Sequence, residues 1–152
     1  MLKNATIEII PLQTGGINNP VLFYDHQLPA GFPSPAADHL EESIDIAKVL
    51  VPRPNSTFIV GCKGDSMINA FIPPAAKLVV DRSVKPENGS IVVAVLNGEF
   101  TVKYLRKNKH KCWLVPANSK YKEIEITAEM GMQVWGVVTS IIINPVDVKC
   151  ML

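Results

Sequence analysis

An excess of one charge is the first thing this sequence lacks. Fifteen Lys and Arg against fourteen Asp and Glu leave a formal charge of +1, too weak a field to draw in nucleic acid or anionic lipid regardless of sequence. Cysteine is scarce as well. Cys62, Cys112 and Cys150 are odd in number and contain no C-x-x-C pair, which supports neither a disulfide framework nor a zinc site; no metal and no cofactor are expected, and a reducing cytoplasm fits best. Long apolar runs are missing. The longest uncharged stretch, Met130–Val146, is broken by Gly131, Gln133, Gly136, Thr139, Ser140 and Asn144 and is rich in β-branched residues, so it reads as buried strand and not as a membrane span. Met1–Pro11 carries Glu8 within a short apolar patch and lacks the pattern of an export signal, so a protein that stays inside the cell and off the membrane is expected. Two amphipathic helices joined by a short turn are also missing, which leaves a helix-turn-helix reader nowhere to sit and predicts no direct sequence-specific DNA binding. There is no internal repeat and no low-complexity tract.

What is present is enough for one domain with a core: 152 residues, 47% of them hydrophobic, interrupted by twelve prolines and nine glycines, so the elements are short. Residues 1–30 hold Pro11, Gly15-Gly16, Asn18-Asn19-Pro20 and Pro29 among scattered apolar groups and read as an arm. Ser34-Pro35, followed by Ala37, Leu40, Glu41 and Ile44, predicts one short helix over roughly 35 to 46. After Pro54 the period changes. Runs rich in Val, Ile, Phe, Tyr and Trp at 57–63, 78–81, 90–96, 99–106, 112–115, 123–127 and 132–144, each bounded by turn residues, predict a mostly β domain over 31–152.

Asn97-Gly98 is the clearest local signal, because both central residues of a type I′ turn need positive φ and this dipeptide supplies them. The two-residue turn sets the register: Leu96 faces Glu99, Val95 faces Phe100, Ala94 faces Thr101, Val93 faces Val102 and Val92 faces Lys103. Lys103 thus lands beside valine and alanine on a partner strand, Ile91–Leu96, that is apolar throughout. Desolvation disfavours an ammonium, and a fall of about three units from about 10.4, on the order of 4 kcal/mol, would supply a neutral general base near physiological pH. The alternative is a lysine whose stem packs while its head reaches water. Upstream, Lys63-Gly64-Asp65-Ser66-Met67 ends a strand on a turn. There a serine can present its hydroxyl while neighbouring N–H groups converge on one point, the geometry of an oxyanion hole. A plain Asx or Ser turn fits the same string.

Three motifs in order change the balance: Ala30-Gly31-Phe32-Pro33-Ser34-Pro35-Ala36-Ala37-Asp38, Gly64-Asp65-Ser66-Met67, and Glu99-Phe100-Thr101-Val102-Lys103-Tyr104-Leu105. Together they resemble the LexA/UmuD family of self-cleaving serine–lysine peptidases, from about Ala30 to Asn144, and the short arm resembles UmuD. Leu78–Asp81, Ile91–Ala94, Pro116–Ser119 and Val134–Val138 add to the match. The resemblance departs at Ile72-Pro73-Pro74-Ala75-Ala76-Lys77, where relatives carry an Asp-Gly-Asp-like turn, and at Ser90, where an aspartate is frequent.

The resemblance implies a LexA/signal-peptidase-like β-rich catalytic domain with a short N-terminal helix and a flexible N-terminal arm. It makes Ser66 the nucleophile, Lys103 its general base, Ala30–Gly31 the bond that is cut, and the Ser66 and Asp65 amides the oxyanion donors. It also implies an SOS-response mutagenesis protein of the bacterial cytoplasm, a homodimer. Its arm 1–30 is removed under stimulation by a RecA–single-stranded DNA filament, and its processed form serves a UmuC-type translesion DNA polymerase. An edge strand around Val137–Ile143 is the expected site of dimer pairing. Other readings are a LexA- or phage-type repressor, which needs a DNA-binding domain, a serine–lysine signal peptidase, which needs an anchor, and an inactive scaffold of the same fold. His26, His39 and His110 are expected to be solvated, and Asp65 to bond nearby backbone.

Overall fold

The β-branched runs between the turn signals pair into one antiparallel sheet. A computed structural model describes residues 8–11, 21–23 and 41–148, and the chain divides into two compact units, Gln13–Pro52 and the remainder. The remainder contributes β1 (Glu8–Pro11), β4 (Thr57–Gly61), β5 (Lys77–Asp81), β6 (Ile91–Leu96), β7 (Glu99–Lys107), β8 (Cys112–Val115), β9 (Ile124–Glu125) and β10 (Gln133–Ile142). They form an eight-stranded sheet in the order β1-β4-β5-β10-β6-β7-β8-β9. All seven expected runs carry a strand. Proline at the end of β1 sits where the sheet ends, the place that tolerates a missing N–H.

The hairpin of β6 and β7 has the register that its turn demands, Leu96 opposite Glu99 through Val92 opposite Lys103. Asn97 and Gly98 have φ of 50° and 81°. β6 is buried on both faces. Val93 joins one apolar cluster with Val60, Leu78, Val80 and Val102, while Val92 and Ala94 join another with Leu105, Leu114 and Val137, as alternation along a strand requires.

Two expectations are corrected. Residues 41–44 lie in a strand, β3 (Glu41–Ile44), paired antiparallel with β2 (Val21–Phe23), and the helix α1 covers only Ile46–Leu50. Its N-cap is Asp45, whose Oδ1 accepts from Ala47 N at 3.0 Å and Lys48 N at 3.2 Å, a stronger start signal than the serine eleven positions earlier because it satisfies two orphan amides. Pairing with a distant strand outweighs the helical spacing at 41–44, and 35–40 lie outside the described residues. The second correction concerns β10, which lies inside the sheet between β5 and β6. It reaches both by bulging, between Val134 and Gly136 on the β6 side and between Val138 and Ser140 on the β5 side. Only its second half resembles an edge: beyond Val137, β6 no longer pairs with it among the described residues. Gly136 permits the close approach there, since a Cβ would stand 2.6 Å from Val80 Cγ1.

One buried charge ties the start of β4 to the end of β5. Asp81 is 1% exposed and accepts from Arg53 Nε at 2.6 Å, Ser56 Oγ at 2.9 Å, and Ser83 N and Oγ at 2.8 and 2.7 Å. Burial alone pushes its carboxyl up, but the Ser83, Arg53 and Ser56 bonds to the ionised form outweigh it and hold the group at about 2. A carboxyl held low contributes stability above its ordinary value of 3.8 that is lost as pH falls through about 2. Asp81→Ala is expected to cost about 3 kcal/mol in urea unfolding at neutral pH, and the gap from the parent should close as the acid limit is approached.

Candidate active site

The turn that carries Ser66 begins where the β4–β5 pairing runs past its strands. Cys62 N donates to Ala76 O at 2.9 Å and Ala75 N to Cys62 O at 3.0 Å, so the ladder extends one step before the chain departs through Gly64 at φ +88°. Only glycine adopts that conformation without strain. Past Ser66, the buried Met67 anchors the excursion, its carbonyl accepting from Ala70 N at 3.0 Å and Ile72 N at 3.2 Å. Ala70 and Ile72 are buried with it. Ser66 is therefore fixed by side chains just after it that point into the core.

A second loop holds the same turn from the side. Ala117 N donates to Ser66 O at 2.9 Å, and Asn69 N returns a bond to Ala117 O at 2.9 Å. Asn118 Nδ2 donates to Asp65 O at 2.9 Å and to Asp65 Oδ2 at 3.4 Å, and Tyr121 OH donates to Asp65 Oδ1 at 2.5 Å. The Tyr121 hydroxyl is the main cause that holds the Asp65 carboxyl below its ordinary value. As expected, the Asp65 carboxylate bonds nearby backbone, its own N–H; the side chains of Asn118 and Tyr121, more than fifty residues away, are partners the expectation did not include. Pro116–Ser119 was legible only as a matching stretch, because no local pattern says which turn a loop will clamp.

Lys103 projects from β7 toward the Ser66 turn. Its Nζ donates to Ser66 Oγ at 2.8 Å, to Thr101 Oγ1 at 3.0 Å and to Val102 O at 2.9 Å. Thr101 follows from the strand period, two residues away on the same face. None of the ion pairs among the described residues includes Lys103. Desolvation without a counter-charge lowers the amine from 10.5 to about 8. Cys62 lines the same cleft, with Lys63, Gly64, Ser66, Met67, Ile72, Thr101, Val102 and Lys103. Burial pushes its thiol up to about 11, and its upward pull on the Lys103 amine is smaller than the downward effect of desolvation. Nothing in the sequence pattern pointed to Cys62.

The arrangement pairs a hydroxyl with an amine that loses its proton near neutral pH, in a cleft with no carboxylate among the described residues lining it. That is the equipment for proton transfer to and from a serine. Of the other expected site residues, Ala30 and Gly31 lie outside the described residues, as do His26 and His39. His110 is exposed at the β7–β8 turn, its N–H donating to Asn108 Oδ1 at 2.8 Å. Among the described residues no group of three or more His, Cys, Asp or Glu side chains could hold a metal ion, and no helix is long and apolar enough to cross a membrane.

Comparison with known proteins bears on most of the chain. Residues 20–139 match the family described as Peptidase S24-like. Protein SamA of Salmonella typhimurium is 41% identical over 119 residues, 78% of this chain and 82% of SamA. Protein MucA of Escherichia coli is 38% identical over 129 residues, 84% of this chain and 88% of MucA. The LexA repressor of Carboxydothermus hydrogenoformans is 43% identical over 102 residues, which span 66% of this chain and 50% of the repressor. A family model matched over most of the chain, with relatives aligned along most of their own length, shows the lineage: the chain belongs to the Peptidase S24-like family, as a UmuD-like member of the LexA/UmuD group.

Proposed function

We propose that this chain is a self-cleaving serine peptidase of the SOS mutagenesis type, which cuts its own Ala30–Gly31 bond with Ser66 as nucleophile and Lys103 as general base. The observation that carries the reading is the 2.8 Å contact between Lys103 Nζ and Ser66 Oγ. A neutral lysine has two N–H groups and one lone pair. With the N–H groups given to Thr101 Oγ1 and the Val102 carbonyl, the lone pair is left for the Ser66 hydroxyl, which then donates to Nζ. Thr101 and Val102 thus orient the base.

In this mechanism Ser66 Oγ attacks the Ala30 carbonyl as its proton passes to Lys103. The oxyanion lies on the Ser66 N–H and the Asp65 N–H, the latter also bonded to its own carboxylate. Collapse breaks the C–N bond, and Lys103 returns the proton to the Gly31 amine. Water, deprotonated by Lys103, then attacks the Ala30 ester, restoring Ser66 and leaving a carboxylate on Ala30. One water is consumed per cut. Pro29 and Pro33 favour extended backbone at Leu28 and Phe32, and Ala30 and Gly31 are small enough to approach the cleft. Tethering the substrate to the enzyme replaces most of the binding surface a general protease needs.

The same reading makes 1–30 the removed arm and 31–152 the product, a cytoplasmic homodimer that serves a UmuC-type translesion polymerase. A RecA–single-stranded DNA filament would stimulate cutting by favouring the docked arrangement of the arm. The side of Val138–Ile142 that pairs with no strand among the described residues, where Ile142 and the adjoining Ile143 are 40% and 37% exposed, supports two-fold pairing there.

Two outcomes are expected when the full chain is incubated and its mass followed. The parent loses 1–30, while Ser66→Ala and Lys103→Ala slow the loss by more than about a thousandfold; an unaffected variant would remove its residue from the mechanism. The base must be neutral, and its amine is held at about 8, so the rate should climb about tenfold per pH unit below that value and level off above it. A profile still climbing at the ordinary lysine value would mean that another group, or an exposed lysine, is the base.

A further inference from the structure

Residues 8–11 belong to the arm by sequence but to the catalytic sheet by structure. β1 pairs antiparallel with β4, Glu8 opposite Gly61, Ile9 opposite Val60, Ile10 opposite Ile59 and Pro11 opposite Phe58. It is the terminal strand on that side of the sheet. Segment 1–30 has one other backbone attachment among the described residues, the pairing of β2 with β3. The bond proposed to be cut lies between β2 and β3 in the chain. Cutting it therefore removes the covalent tether, and among the described residues two short strand pairings are what still attach the segment.

Those pairings are too short to hold at working concentrations. Four residues of ladder correspond to an affinity on the order of millimolar once the tether is gone, and an isolated two-stranded pair such as β2–β3 is marginal in water. At micromolar concentration the segment leaves. Its departure strips β4 along Phe58–Gly61 and creates a sheet edge that the intact chain lacks. Such an edge is a template for strand addition.

From this juxtaposition, and resting on the cleavage reading above, we propose that β1 is a built-in plug, and that cutting unmasks the β4 edge as a docking site for an extended apolar segment of a partner protein. β1 shows what the edge accepts: an antiparallel strand of Glu-Ile-Ile-Pro type. Proline at its end cannot donate to a further strand, so the plug also stops the sheet from growing. A partner segment binds more tightly than the plug because further contacts of the partner supply the tether that the arm has lost.

The test separates docking from cleavage. In the uncut full chain, Ile10→Pro deprives β1 of a ladder donor, so exchange of the Ile59 and Gly61 amides, which face β1 while those of Phe58 and Val60 face β5, should quicken by about tenfold or more. A labelled peptide of residues 5–13, titrated to millimolar, should shift those same amides in the variant and not in the parent. Should Ile10→Pro fail to fold, Ile10→Cys with Ile59→Cys gives the same answer after self-cutting. The reduced form should release 1–30 on gel filtration at micromolar concentration and take up the peptide; the oxidised form should keep 1–30 and refuse it. The proposal is overturned by a folded Ile10→Pro chain that neither exchanges faster nor binds the peptide. It is equally overturned by processed parent protein that keeps 1–30 in stoichiometric amount, on its own body or on a second copy. A chain that never cuts but binds the peptide as Ile10→Pro would retain the docking edge and overturn the cleavage reading alone.

Discussion

The lysine amine with three oxygens and no anion around it sets the terms for the rest of the molecule. Among the described residues Lys103 Nζ touches Ser66 Oγ, Thr101 Oγ1 and Val102 O, and no carboxylate shares its cleft. A single Asp or Glu within a few ångströms would favour the ammonium and return the amine to its ordinary range. The fold keeps acids elsewhere. Asp65 faces Tyr121 and Asn118, and Asp81 is enclosed by Arg53, Ser56 and Ser83. Asp65 has its own donors beside the Ser66 turn, Asp81 has its own at the opposite end of the β4–β5 pair, and neither lines the Lys103 cleft.

Holding the amine in place requires a rigid strand, and holding the hydroxyl requires a turn that behaves like one. β7 meets the first need, because β6 pairs with it along six residues and is itself buried on both faces. The Ser66 turn has no such ladder. Its order comes from Met67, Ala70 and Ile72 anchored in the core and from the Ala117 and Asn118 bonds to Ser66 O and Asp65 O. The two halves of the pair come from segments 37 residues apart, and the loop around Asn118 keeps their relative position from drifting.

Local chemistry decided which parts of this were legible in the sequence. Asn97-Gly98 permits one turn length, and a two-residue turn permits one register, so the surroundings of Lys103 could be written down strand by strand. Most of the seven β runs were readable because Gly, Pro, Asn or Asp closes them. Partners chosen across the chain were not. The helical spacing of Leu40, Glu41 and Ile44 lost to pairing with Val21–Phe23, a strand whose existence depends on its partner. The apolar content of Val137–Ile142 suits an edge or a centre equally, and its place between β5 and β6 follows from two bulges that no composition announces. Cys62 and Tyr121 were missed for the same reason: their role is an address in three dimensions.

Under the proposed reaction, the small cleft and the preformed contact divide the work in an informative way. The base already touches the hydroxyl and already sits near neutrality, so little of the barrier to the first step remains for a conformational change in the catalytic groups to remove. Control must therefore act on the substrate. A segment tethered to its own enzyme needs no deep pocket, and a cleft without one gives a free peptide little to bind. That combination favours a single turnover on one attached bond and disfavours attack on other proteins. The strand pairings of β1 and β2 become part of the same control, since they constrain where the intervening chain can reach before the bond is cut and lose their covalent support once it is.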